Sequence, residues 1–239
     1  MQNTLQQLAD DARAAGVQSV TLFAPAVRYR STNNSEFSPC MDWAAELWLI
    51  HSEPMFTNPV LAGVVRFLTL RLGEQDIAPM LAALPGAGRF ANLFGGRWLS
   101  DEVEAQFHDV EIDSAVLVTD AVIATPLRGH DLGPWMVADV IYRMLNANGA
   151  ALVASTPSFN PSSTAADFEA SERITAQWRK AGFSPIRSNP VFSGLSTASA
   201  SLKRARDGLA HIADSKLSLS IGTLKPCEDL NRIAAADDL

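Results

Sequence analysis

Cysteine is scarce: Cys40 and Cys227 are the only two in 239 residues, and they stand far apart. So few thiols leave no disulfide framework to build on. With no apolar leader at the N-terminus, the expected setting is a reducing, cytoplasmic one. Long apolar runs are also missing, and none reaches the length of a membrane span, so no membrane association is expected. Positive charge is short as well. Lys and Arg number 19 against 26 Asp and Glu, a formal net charge of −7, which argues against a general nucleic-acid binder with its basic face. No internal repeat stands out. What remains, 47% hydrophobic and 19% charged, is the composition of a globular protein. The length suffices for a full core in one large domain, or one domain with an appendage.

The stretch Ser114 to Ala154 organises the chain. An apolar, Val- and Ile-rich run from Ala115 to Ala124 reads as a buried strand. The polar loop Thr125 to Gly133 follows, and Pro134 at a first helical position opens an apolar-periodic helix that Asn148-Gly149 should stop. Ala150 to Ser155 reads as the next strand. Strand, glycine-bearing loop, helix and strand form a βαβ unit whose loop presents free amides at a helix N-terminus, a ready anion site. The loop is not a P-loop, since no Gly-Lys-Ser/Thr follows, and lacks the three glycines of a dinucleotide fingerprint.

Elsewhere, Gln2 to Ala15 suits a helix with Leu5, Leu8 and Ala12 on one face and Gly16 as its stop. Val17 to Phe23 suits a strand, continued by Val27 to Arg30. Ser38-Pro39 and Asn58-Pro59 are helix-start pairs. They favour helices through Met41, Ala45 and Trp48 and over Val60 to Leu72, although Met41 to Leu49 also alternates as a strand would. Asp76 to Leu84 reads as a short helix, Pro85 to Gly96 as a loop, and Glu104 to Ile112 as a strand paired with 115–124. Thr164 and Asp167 resemble a capping box for a helix that Gly182 ends. Phe183 to Ile186 and Val191 to Leu195 suit strands, Ser201 to Ala213 an exposed or docked helix, and Ala234 to Leu239 a frayed end.

Three motifs in this order resemble the GNAT superfamily of acyl-CoA-dependent N-acyltransferases, over about residues 115–183. Arg128-Gly129-His130-Asp131-Leu132-Gly133 is similar to the family's R-G-x-G-x-G/A loop. Thr119 to Pro126 looks like its fourth strand, acidic then apolar, ending before a Pro. Trp178 to Phe183 looks like its aromatic-x-x-x-Gly-Phe helix ending. The resemblance implies an α/β (α+β) fold with a mixed, splayed central sheet flanked by helices, a helix-rich N-terminal insertion and a C-terminal helical tail. Residues 1–195 would form the acyltransferase domain and 196–239 the extension.

The resemblance further implies acetyl-CoA as cosubstrate, and no metal. Its diphosphate would lie on the amides of Gly129, His130, Asp131, Leu132, Gly133 and Pro134's turn, with Arg128 at the rim. Its pantetheine arm would run along the main chain of Val122, Ile123 and Ala124, mimicking an added strand where the sheet splays. Asp120 would be the catalytic or substrate-orienting carboxylate near the acceptor amine, since acyl transfer needs a neutral nitrogen. His130 and His108 are lesser candidate bases. The chain departs from the family at three positions. Asp131 stands at the middle glycine, Trp178 replaces the tyrosine that protonates the leaving thiolate, and Ser171 replaces a coenzyme-binding asparagine. Tyr142 is then an alternative acid.

The expected function is N-acetyl transfer to a primary amine of a small molecule or peptide by direct attack. The alternative is a catalytically impaired module that keeps a coenzyme pocket or a protein interface, and a third reading is another βαβ protein such as a methyltransferase. No nucleic-acid partner is expected, and a homodimer is left open.

Overall fold

In the computed structural model, which describes residues 4–31, 39–52, 58–84, 86–107, 110–154 and 165–224, alternation rather than helical spacing decides the first half of the chain. Helix α1 (Leu5–Ala14) forms as its periodicity predicts. Thr4 and Gln7 make a reciprocal capping box, and Leu5, Leu8, Ala9 and Ala12 bury one face. Strand β1 (Ser19–Ser31) runs on past Pro25 with a register shift between Phe23 and Ala26, where Ala24 takes a φ of 49°.

β2 (Cys40–His51) and β3 (Val60–Arg71) replace the two expected helices. They are central strands with nearly every residue covered, so each reads as an almost continuous apolar run in which a helical stripe is found by accident. The helix-rich N-terminal insertion is therefore overturned over these two segments. The α2 helix (Ile77–Ala83) stands as expected, followed by a 3-10 turn at Gly88–Leu93 and the small hairpin β4 (Phe94–Gly95) and β5 (Trp98–Leu99). Among the described residues of 104–112 the expected strand does not form. Instead Ser100 leads into α3 (Asp101–Glu104), whose first turn is acidic as the helix dipole favours, and a 3-10 turn at Ala105–Phe107.

β6 (Ser114–Ile123) matches the expected strand, and its neighbours are β3 and then β7 (Gly149–Ala154). Between them lies α4 (Leu132–Met144), which begins two residues before Pro134 and ends before Asn148. Gly149 is thus not a left-handed helix stop. It opens β7 and keeps space for Leu145, whose side chain would lie 2.8 Å from an added Cβ. α5 (Ala165–Lys180) ends at Gly182 (φ 96°) as expected, and β8 (Ser184–Pro185) and β9 (Phe192–Ser196) follow. Beyond Ser196 the chain adds α6 (Ala200–Leu209), a 3-10 turn at Ala210–Asp214 and β10 (Lys216–Ser220). The expected helical tail therefore includes a strand, which pairs with β1. The capping box at Thr164, His108, Cys227 and 234–239 lie outside the described residues.

One mixed sheet of eight strands results, in the order β10-β1-β2-β3-β6-β7-β9-β8, flanked by helices. Only β6 and β7 run parallel; every other neighbouring pair is antiparallel. The larger core joins α1, α4, the end of α5 and α6 to one sheet face through residues such as Phe67, Val118, Met136 and Trp178. A second core, around Leu70, Ile77, Phe90 and Phe192, fills the other face beneath α2 and the 88–93 turn. No helix among the described residues is long and apolar enough to cross a membrane.

Candidate site at the divergence of two parallel strands

Parallel pairing between β6 and β7 begins at Ser114 with Gly149 and ends at Val118 with Val153. β6 continues to Ile123, held on its other side by β3 through Gly63 opposite Ile123. That approach is close. A Cβ on Gly63 would come within 2.5 Å of the Ile123 side chain and 2.9 Å of the Val122 carbonyl, so glycine is what lets β6 stay with β3 after β7 has ended. From Thr119 onward, β6 therefore has no strand partner on that side among the described residues.

At that point β6 carries an extra residue. Arg66 pairs with Asp120 and the next residue, Phe67, with Val118, leaving Thr119 bulged. Its hydroxyl donates to the Arg66 carbonyl at 3.1 Å, and its own carbonyl accepts from the Arg89 guanidinium. Arg89 stands on the 88–93 turn and is partly dehydrated. Burial pulls its guanidinium below the usual arginine range, which the Asp120 charge partly offsets. The bulge reverses the alternation of the strand. Val116 and Val118 face the helix side, and beyond the bulge Ala121 and Ile123 do so. Val122, which also borders that core, packs with Trp48, Leu61 and Val64 on the opposite face.

Main-chain groups follow the same alternation. The Ala124 amide donates to the Ala62 carbonyl at 2.9 Å, which makes Gly63 and Ile123 a non-hydrogen-bonded pair. Ala121 and Ile123 therefore turn their backbone groups into the gap, while Val122 and Ala124 turn theirs to β3. Two gap-facing groups are engaged by side chains: Asp120 Oδ1 accepts from the Ala121 amide at 2.9 Å, and Arg128 Nε donates to the Ile123 carbonyl at 3.1 Å. Asp120 is exposed, with its carboxylate at the mouth of the gap.

Below the gap lies a cavity of about 430 Å³ between the α4 N-terminus and α5. Of the residues singled out in the sequence, Ile123, Arg128, Gly129, Asp131, Leu132, Gly133 and Pro134 line it, as does Trp178. His130 is exposed and does not line it, nor do Asp120, Val122, Ala124 or Ser171. At the head of α4, the Trp135 amide bonds the Asp131 carbonyl at 3.1 Å. The amides of Leu132 and Gly133 donate to no acceptor among the described residues. They are the first orphan donors of a helix of 13 residues.

Asp131 takes a left-handed conformation (φ 56°), and its carboxylate bonds Lys180 Nζ at 2.5 Å. A carboxylate that would otherwise repel a phosphate is thereby neutralised from α5. Arg128 and Arg173 add positive charge to the lining. The cavity thus offers two unpaired amides, two guanidinium groups and a paired carboxylate: the means to hold an anionic group with an apolar tail.

Arg173, Gln177, Ala121 and Leu127 also line the cavity and escaped the sequence reading. Arg173 and Gln177 lie one position before Ile174 and Trp178, which share one side of α5, so widening that side by one residue finds both. Arg89 has no such signal. Trp178 Nε1 donates to the Ala154 carbonyl at 3.2 Å, tying α5 to the end of β7. Tyr142 is exposed on the outer side of α4, with the Arg206 guanidinium 3.4 Å from its ring centre. It does not line the cavity. Among the described residues no cluster of His, Cys, Asp and Glu could hold a metal ion.

Comparison with known families, curated proteins and solved structures finds no match. The site is read on its own geometry.

Proposed function

We propose that the chain is a GNAT-like N-acetyltransferase that moves an acetyl group from acetyl-CoA to a primary amine. One observation carries the reading: among the described residues the parallel pairing stops at Val118 and Val153, beside a cavity headed by the free amides of Leu132 and Gly133. A diphosphate would sit on these amides and the α4 dipole, flanked by Arg128 and Arg173. The pantetheine arm would follow the gap-facing groups of Ala121 and Ile123, taking the role first expected of Val122 to Ala124.

The thioester would then lie at the bulge. There the Ala121 amide would exchange the Asp120 carboxylate for the carbonyl oxygen that becomes the oxyanion. Asp120, so released and exposed, is placed to take a proton from the attacking ammonium, directly or through water. Amine nitrogen forms the new C–N bond as the C–S bond breaks. The thiolate takes its proton from solvent, since Trp178 is committed to Ala154 and Tyr142 faces away from the cavity.

That last point favours a second reading, a coenzyme-binding module without turnover. One pair of measurements separates them: calorimetric binding of acetyl-CoA, then release of free thiol with a panel of primary amines. Binding with thiol release supports the enzyme, and binding without it supports the module. No binding at millimolar acetyl-CoA removes both.

A further inference from the structure

A second cavity, of about 470 Å³, shares no lining residue with the first. It opens between Gln106, Phe107 and Val110, the β8–β9 connection and the start of α6. Two arginines reach it from separate elements, Arg187 after β8 and Arg204 on α6, and no carboxylate among the described residues lines it. Neither guanidinium has a hydrogen-bond or ion-pair partner among the described residues. In a chain with a net charge of −7, a concave surface to which two described elements each bring an arginine is an electrostatic signal, because like charges held around one hollow call for a counter-ion.

The rest of the lining is suited to an oxyanion ester. Ser184, Ser199 and Ser201 bring hydroxyls, the last two 2.8 Å apart. Phe107, Val110 and Leu195 supply an apolar wall. The rim is fixed rather than loose. Gln106 donates to the Pro185 carbonyl at 3.0 Å and accepts the Arg187 amide at 2.9 Å. Gly182 backs onto Ser201, whose carbonyl would lie 2.9 Å from any Cβ placed there. The volume exceeds that of phosphate alone and falls within the range of small-molecule sites, about 300–1,000 Å³.

We infer that this cavity binds a small phosphate monoester, its dianion held between Arg187 and Arg204 and its organic group against Phe107 and Leu195. Two planar donors from separate elements match a three-oxygen dianion better than a single carboxylate. The inference does not depend on the acetyl-transfer reading.

The test is calorimetry of the full chain with phenyl phosphate at constant ionic strength, with benzyl alcohol as the uncharged control. Saturable binding is expected, weakened at least about tenfold by Arg187→Ala and by Arg204→Ala. It should tighten between pH 5 and 7.5 as the ester loses its second proton, near pH 6. Ser201→Asp supplies an independent check: a carboxylate there suits the first turn of α6 but should abolish binding without loss of thermal stability. Absence of saturable binding at about 10 mM, or binding unchanged in either arginine variant, would overturn the assignment.

Discussion

Replacing Asp131 by Asn should tighten coenzyme A binding, an unusual direction for a substitution in a ligand cradle. The position is left-handed at φ 56°, and Asn adopts that region as readily as Asp, so the α4 entry should keep its shape. What changes is charge. The Lys180 pair at 2.5 Å leaves the wild-type cradle near neutral at this point, and Asn frees the ammonium. A unit charge about 7 Å from a diphosphate carrying about two negative charges is worth about 1.2 kcal/mol in a water-like dielectric. Physiological salt, with a Debye length of about 8 Å, reduces this to about 0.5 kcal/mol. Lower local dielectric raises it again, so a gain of about 0.5–1 kcal/mol follows, roughly two- to fivefold in Kd. The cost in stability is small, because the side chains of Lys180 and Asp131 are 46% and 27% exposed; such pairs contribute about 0.5 kcal/mol. Calorimetry with coenzyme A at low and physiological ionic strength measures the effect, which should shrink with salt. Equal or weaker binding at both, in a variant with a native melting curve, would refute the placement of the diphosphate at α4.

Three further substitutions probe separate links in the argument. Gly133→Ala meets only the Ile123 side chain at 3.6 Å, an ordinary contact. It should raise the melting temperature slightly through helix propensity, by up to about 1 kcal/mol, while its methyl group weakens coenzyme A roughly fivefold or more; unchanged affinity would place the ligand elsewhere. Trp178→Phe removes the 3.2 Å bond to the Ala154 carbonyl and should cost about 1–3 kcal/mol in urea unfolding, with the pH profile of any thiol release unmoved. Tyr29 donates to Asp139 at 2.7 Å, and burial first, then that bond and the Asp139 charge, push its pKa well above the usual phenol range. Its contribution is therefore complete below about pH 10 and lost as pH rises beyond. Urea midpoints from pH 8 to 11 should fall more steeply for the wild type than for Tyr29→Phe, and parallel curves would contradict the assignment.

Local chemistry made part of this fold legible in advance. The Thr4–Gln7 box with its Leu5, Leu8 and Ala12 stripe, the Val- and Ile-rich β6, and the glycine stop at Gly182 are each written within a few residues, and each appears where its signal stood. β2 and β3 misled for the converse reason. Covered on both faces, they offer helical spacing and alternation at once, and a Pro ahead of such a run precedes a strand as readily as a helix once the following residues pair across a sheet. The candidate site was half legible. The 128–134 loop announces free amides ahead of a helix, and most of its residues line the cavity.

Its other half is tertiary. Whether Asp120 faces the helix side or the opposite one depends on a single bulged residue, Thr119, whose carbonyl is held by Arg89 from a turn thirty residues earlier. Ser171 falls outside the cavity while Arg173 falls inside it, a difference set by how α5 rotates against α4.

The sequence by itself determined the composition of a globular α/β chain, the βαβ unit at its centre and the amide-rich turn that heads α4, because all of these rest on interactions between near neighbours. Only the tertiary structure decided that β6 outruns β7, that Lys180 cancels Asp131, and that Arg187 and Arg204 share one hollow. Those outcomes depend on residues far apart in the chain, brought together by the burial of two apolar sheet faces, and no local pattern records where such partners will meet.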